Sequence, residues 1–261
     1  MPSLTRRSRS AAAQRDRSSA TLPASDASPL ALRFRARNLE RVSPKRRRTL
    51  LMTRLLNVVV AVVAIVVTLP LMALIALAVR LTSRGPVIFT QPRVGIDRRR
   101  RDKSDPVGAH RRSSDMGGRI FTIYKFRTMT YTSDAAQTWA SKNDARVTSI
   151  GRFLRATRLD ELPQFFNVLK GDMNIVGPRP EQPAIFTELR EELGPHYGSR
   201  QRVLPGITGL AQVERGYDTD LEGVRKKVSL DLQYIGGRSP KTDLRIMAKT
   251  VPVMVFQKVW Q

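Results

Sequence analysis

Between Arg158 and Pro180 the chain reads RLDELPQFFNVLKGDMNIVGPRP, and the residues there able to do chemistry are the adjacent carboxylates Asp160 and Glu161 and the turn-borne Arg179. Adjacent side chains on a helix point about 100° apart, so the two carboxylates cannot share one substrate atom and would take different roles. One would attack phosphorus, while the other would hold a divalent cation that neutralises phosphate oxygens. Arg146, Arg152, Arg155 and Arg158 lead into the pair, and Arg155 and Arg158 share a helical face. An anionic nucleophile approaching a pyrophosphate needs such cations. The same stretch also reads as plain structure, with Asp160 as an N-cap, Pro163 in the first turn, Phe165, Phe166, Val168 and Leu169 as buried surface and Gly171 as the stop. Spacing alone does not choose between capping and catalysis.

The elements that must position these groups lie on both sides. Upstream, RIFTIYKFRTM alternates apolar and polar residues, which predicts a strand with Lys125 and Arg127 on the face opposite Tyr124 and Phe126. Two cations on one strand face can be half exposed or can present to a phosphate. Before it, VIFT reads as a short strand between the breakers Gly85-Pro86 and Gln91-Pro92. Asp97 to Arg119, at 8 − 4 = +4, reads as a solvated Arg-rich insertion. It has no interleaved aromatics of the kind that stack nucleic-acid bases.

Downstream, a helix is predicted from Ala184 to Leu193, stopped by Gly194-Pro195, and VLPGITGLAQV reads as a tight turn that brings backbone close to a ligand. GYDTDLEGVRKKVSLDLQYI predicts a helix whose apolar face runs through Leu221, Val224, Val228 and Leu232. Asp231 and Asp243 read as surface ion-pairing residues in preference to supports of a site, and the lone His196 as structural. The tail LRIMAKTVPVMVFQKVW, with Lys249, Lys258 and Trp260, suits an interfacial helix.

A length of 261 residues allows one globular domain with an accessory segment. The net charge of +24 calls for anionic partners: nucleic acid, an acidic membrane face or phosphorylated substrates. With no Cys and only His110 and His196, disulfides, thiolate metal sites and a zinc cluster are excluded, whereas a hard metal on carboxylates is not. Residues 1–49, at 13 − 3 = +10, read as a disordered basic tail. Leu50 to Leu81 is almost wholly apolar, and its uncharged part, Leu55 to Val79, would measure about 37 Å as a helix against a hydrocarbon layer of about 30 Å. This is a membrane segment. Basic residues flank both ends, Lys45 to Arg48 and Arg54 before it and Arg80, Arg84 and Arg93 after it, and Pro70 interrupts its middle. Together these predict a helix that enters, bends at Thr68-Leu69-Pro70 and returns to the same face, with a tilted span as the alternative.

KFRTM, GRFLRATRLDELPQFFNVLKGDMNIVGPRP and LPGITGLAQV, in this order, resemble the bacterial sugar transferases, the monotopic polyprenyl-phosphate phosphoglycosyl transferases, from about Arg48 to the C-terminus. The resemblance implies that Asp160 attacks the sugar-bearing phosphate of a UDP-sugar and expels UMP. Polyprenyl phosphate, usually undecaprenyl phosphate, then takes the phosphosugar. It further implies Mg²⁺ at Glu161, phosphate contacts from Lys125, Arg155 and Arg179, and a re-entrant membrane helix broken at Pro70. Two departures are the insertion at 97–119, which must project from the core, and Arg158, where many relatives have a small residue. Larger relatives carry an upstream multi-helix region and a further domain, which this sequence is expected to lack.

The expectation is thus an α+β, mainly helical catalytic domain with a re-entrant anchor and amphipathic interfacial helices, divided as tail 1–49, anchor 50–81 and catalytic domain 82–261. It would sit on the cytoplasmic face of a bacterial inner membrane, in contact with its lipid and without nucleic acid, with homodimerisation open. The competing reading, a non-enzymatic basic protein tethered to the membrane, leaves the block from DELPQ to GPRP unexplained.

Overall fold

The apolar run from Leu50 to Leu81 folds within one helix, α1 (Pro44–Thr82), in a computed structural model that describes residues 44–97, 117–130, 144–194, 196–214 and 221–256. Residues 44–49, expected in the basic tail, are therefore the start of α1, and the rest of that tail lies outside the described residues. The expected break at Pro70 is absent as an interruption of secondary structure: α1 runs through it. Nearby, Thr68 Oγ1 donates back to the Ala64 carbonyl at 2.7 Å, a bond that bends a helix without ending it.

Two separate stretches of α1 are packed against the rest of the fold. In the first, Thr53, Asn57 and Ala61, four residues apart on one face, are buried. Asn57 Oδ1 accepts from the Ile175 N–H, and Arg54 donates to the carbonyls of Val168 at 2.7 Å and Leu169 at 2.9 Å. In the second, Met72, Ile75 and Val79 are buried with Phe126 and Leu154. Between the two, Val62, Val63, Val66, Val67, Leu69 and Leu71 are exposed, and α1 is the one helix among the described residues long and apolar enough to cross a membrane.

The chain then forms an antiparallel hairpin of β1 (Ile88–Val94) and β2 (Ile120–Phe126), in register from Ile88 opposite Phe126 to Val94 opposite Ile120. Gln91-Pro92 thus does not end β1. The strand lies at a sheet edge, where a missing N–H is tolerated. At the far end of the hairpin, the Gly95 N–H donates to Arg119 O at 2.9 Å and the Arg119 N–H to Ile96 O at 3.1 Å. The insertion therefore leaves and re-enters at one point, and residues 98–116 lie outside the described part.

Helix α2 (Ser149–Thr157) is capped by Thr148, whose hydroxyl accepts from the Gly151 N–H, and a 3₁₀ turn (Leu159–Glu161) separates it from α3 (Gln164–Lys170). Gly171, at φ 82°, ends α3 as its position predicts. Next come β3 (Asn174–Val176), α4 (Pro183–Leu193), a 3₁₀ segment (Tyr197–Arg202) and β4 (Gly206–Thr208), which pairs parallel with β3. The segment VLPGITGLAQV is therefore not a tight turn but β4 followed by α5 (Leu210–Glu214). Its glycines serve backbone packing: a Cβ on Gly206 would lie 2.1 Å from the Gly177 nitrogen, and one on Gly209 would lie 2.3 Å from the Gly177 oxygen. In α6 (Leu221–Gly236), Val224, Val228 and Leu232 face the core as predicted, but Leu221 is exposed.

The last helix, α7 (Pro240–Phe256), is only half interfacial in character. Ile246 is buried, while Leu244 and Val251 are exposed; Trp260 and Lys258 lie outside the described residues. Ile246 shares a core with Ala61 of α1, Phe121 and Ile123 of β2, Val168 of α3 and Ile175 of β3. The fold is mostly helical with few strands, and its core is built partly from the apolar helix.

Candidate active site

The carboxylate pair stands in the 3₁₀ turn between α2 and α3, and the residue that creates the turn is Arg158, at φ 57° the one non-glycine in the left-handed region among the described residues. A side chain there costs about 1–2 kcal/mol, and strain of this kind gathers at functional sites. The capping role expected of Asp160 is not found. The N-cap positions fall on Arg158 and Pro163, neither with a side-chain cap bond, so the burial of Asp160 at 8% exposure has another cause.

Glu161, equally buried, collects three cations. Its Oε1 accepts from Lys125 Nζ and Arg179 Nη2, each at 2.9 Å, and its Oε2 lies 3.7 Å from Arg158. Lys125 Nζ is also 4.0 Å from Asp160 Oδ2. Burial, reinforced by the neighbouring Glu161 charge, pushes the Asp160 carboxyl above the ordinary range, with Lys125 offsetting only part of it. Burial would push Glu161 the same way, but Arg179, Lys125 and Arg158 outweigh it and hold Glu161 well below the usual value. Burial, with the Arg179 charge, also brings Lys125 below an ordinary amine. Two adjacent carboxylates driven in opposite directions are suited to different tasks.

Each cation is held by a different element. Lys125 is carried by β2, which α3 fixes through Asn167: Oδ1 accepts from the Tyr124 N–H at 3.1 Å, and Nδ2 donates to Thr122 O at 2.7 Å. Arg179 sits in the Gly177–Pro180 turn, bound to β4 by Gly206 N–H to Pro178 O at 2.9 Å and Gly177 N–H to Thr208 O at 2.9 Å. Two further arginines grip the same turn: Arg93 donates to Pro180 O at 3.0 Å and Arg200 to Arg179 O at 3.2 Å. Arg200 is buried and is itself oriented by Asp231 Oδ2 at 2.7 Å and the Tyr197 hydroxyl at 2.9 Å.

Several expectations are therefore corrected. Asp231 and Asp243 are not surface ion-pairing residues; both are buried, and Asp243 accepts from the Tyr234 hydroxyl at 2.8 Å. Arg127 does not join Lys125 at the carboxylates. It follows the end of β2, is 4% exposed, and donates to the carbonyls of Ser83 at 2.7 Å and Arg84 at 2.9 Å, clamping the exit of α1. Arg155 acts on Asp160 through its charge from the exposed side of α2, while Arg146 is held by Asp144 at 2.6 Å. Arg200 carried no sequence signal and Arg93 only that of a basic flank, because their targets are backbone carbonyls elsewhere in the chain.

Among the described residues no three carboxylates or histidines gather to hold a metal. Glu161 supplies the donor type that a hard cation such as Mg²⁺ takes, commonly one or two carboxylates with substrate phosphates and water completing the shell, although both of its oxygens face protein cations here.

Comparison with known proteins places the same residues in a family. The family model described as bacterial sugar transferase matches residues 48–257. The chain is 42% identical to a UDP-glucose:undecaprenyl-phosphate glucose-1-phosphate transferase of Klebsiella pneumoniae, over 76% of this chain and 39% of that protein. It is likewise 42% identical to a UDP-N-acetylgalactosamine-undecaprenyl-phosphate N-acetylgalactosaminephosphotransferase of Aeromonas hydrophila, over 75% and 42%. A third relative, the UDP-glucose:undecaprenyl-phosphate glucose-1-phosphate transferase of Caulobacter vibrioides, is 39% identical over 77% of this chain and 69% of its own. The chain thus spans about two fifths of the length of the first two. With its carboxylate turn, its cation shell and its apolar helix all inside the matched region, the chain belongs to the bacterial sugar transferase family.

Proposed function

We propose that the protein transfers a phosphosugar from a UDP-sugar to undecaprenyl phosphate at the cytoplasmic face of the inner membrane, in two steps through a covalent intermediate on Asp160. The observation that carries this reading is the buried Asp160, which caps no helix, beside a Glu161 that gathers three cations. A carboxylate oxygen of Asp160 attacks the sugar-bearing phosphorus. The bond from that phosphorus to the bridging oxygen breaks, and UMP leaves as an anion. An oxygen of the acceptor phosphate then attacks the same phosphorus and expels the Asp160 carboxylate. Neither step needs a proton transfer, so the reaction asks for positive charge and not for a general base, in keeping with a site furnished by Lys125, Arg158 and Arg179.

Glu161 would hold Mg²⁺, leaving Asp160 to attack. The ion would supply further neutralisation of the phosphate oxygens. The diphosphate competes with Glu161 for Arg179, whose side chain is 38% exposed and therefore able to reorient, while Lys125 is more enclosed. Which sugar is transferred does not follow from identity, since relatives named for glucose and for N-acetylgalactosamine match equally well.

The re-entrant reading of α1 draws support from its docking. Arg54 and Asn57 near one end and Val79 near the other engage the same globular body. A helix with both ends on one body returns to one face, and the exposed valines and leucines between Val62 and Leu71 form the part immersed in hydrocarbon.

The decisive experiment presents purified full-length protein with a panel of UDP-sugars. Without acceptor, a burst of UMP and a protein mass increased by one phosphosugar are expected. Asp160→Asn should abolish both, lowering turnover by about a thousandfold or more; UMP release at the wild-type rate from that variant would remove Asp160 from the role of nucleophile.

A further inference from the structure

Opposite Lys125 in the hairpin stands an aromatic ring that phosphate chemistry does not require. We propose that Phe89 contacts the isoprenoid chain of the polyprenyl phosphate acceptor and governs acceptor use without a part in the donor half-reaction. The inference rests on the reaction proposed above.

In the hairpin register Phe89 lies directly opposite Lys125, and directly opposed residues of an antiparallel pair project to the same face. Lys125 reaches Glu161 and Asp160 from that face, so Phe89 projects on the face of the hairpin that carries this lysine. It is nonetheless 44% exposed, on an edge strand. A phenyl ring offers apolar area and nothing else, and half of that area is unused within the protein.

Its place along the chain says which ligand would use it. β1 begins shortly after α1 ends, and Arg127 staples the two together, with its N–H on Val87 O at 2.9 Å and its guanidinium on Ser83 O and Arg84 O. Val87 packs with Met72, Ile75 and Val79 of α1. Phe89 therefore faces Lys125 two residues along the chain from Val87, where the hairpin is tied to the exit of the apolar helix. The donor carries a nucleoside and a sugar on either side of its diphosphate, both rich in hydrogen-bonding groups. The acceptor's phosphate is attached directly to a hydrocarbon chain that must run back to the bilayer, along the line from Lys125 to the end of α1.

The test uses full-length protein in lipid nanodiscs with undecaprenyl phosphate and a UDP-sugar that gives turnover. Phe89→Ser is expected to raise the KM for undecaprenyl phosphate about tenfold, the loss of roughly half a buried phenyl group. The UMP burst without acceptor and the KM for the UDP-sugar should be unchanged. Phe89→Leu, which keeps the apolar area, should restore acceptor use to near wild type, and a two-isoprene acceptor should feel Phe89→Ser less than undecaprenyl phosphate does. A raised donor KM or a slowed burst would assign the ring to the nucleotide or sugar and overturn the inference, as would unchanged kinetics. If Phe89→Ser does not fold, a photo-crosslinking benzophenone amino acid at position 89 gives an independent answer: it should capture undecaprenyl phosphate and not the UDP-sugar, and failure to capture the lipid sinks the idea. Absence of UMP release by the wild type with any donor would instead overturn the reaction itself.

Discussion

Glu161 binds Lys125, Arg158 and Arg179 through one carboxylate, so its replacement should disturb more than its own charge. Glu161→Gln is expected to abolish the Mg²⁺ dependence of UMP release, read by titrating Mg²⁺ after chelation; a variant that still responds normally to the ion would end the metal role. Arg179→Lys keeps the charge and loses the planar fork. Because the Arg179 side chain is partly exposed, stability should change by less than about 1 kcal/mol, while turnover falls about 10- to 100-fold. Arg158 separates backbone from charge: Arg158→Gly removes the left-handed penalty, and Arg158→Ala retains it, so the glycine variant should melt at the higher temperature by the equivalent of about 1 kcal/mol. At this scale the carboxylates and Arg179 were legible because one contiguous motif holds them. Arg200 was not, since its role is to hold the backbone oxygen of Arg179 with Asp231 behind it, an arrangement that exists only after folding.

The elements transmit these positions through a few buried polar bonds. Arg127 ties the end of α1 to the end of β2, and Arg127→Met should cost about 2–3 kcal/mol, because several carbonyl contacts of a buried charged group vanish together. Chemical denaturation in detergent would measure it, and a loss below 0.5 kcal/mol, on the order of an ordinary surface change, would contradict the clamp. β2 was legible from alternation and β1 as a short VIFT strand between breakers, yet β1 runs on through Pro92, because an edge strand forgives a missing donor that sequence rules count as a stop. The 3₁₀ turn was hidden for a different reason: Asp followed by Pro three residues later is also the pattern of an ordinary helix start. Gly206 and Gly209 looked like a ligand loop and are instead the close approach of two backbones.

At the scale of the whole molecule, the net charge of +24 pointed to an anionic surface and the apolar run to a bilayer, and neither could state a topology. A single cysteine introduced at Ala20 or in the Arg-rich insertion should be unreactive to a membrane-impermeant reagent added from the periplasmic side and reactive after permeabilisation; the native chain has no Cys to confuse the result. Periplasmic labelling at Ala20 would require a spanning helix and would contradict the re-entrant path. The anchor's docking was the least legible feature, because Arg54 read in sequence only as a flanking charge and Asn57 lay within an otherwise apolar run. Their partners, the last turn of α3 and the middle of β3, are more than a hundred residues away.

That docking limits how the protein can be re-engineered. Ala61 lies in the same core as Phe121 and Ile246, and Asn57 satisfies a backbone group of β3. A chimera that exchanged α1 for a lipid tail or for another protein's membrane helix would keep the address but strip away part of the core. For this protein, solubilisation by truncation of α1 and loss of part of the core are the same operation.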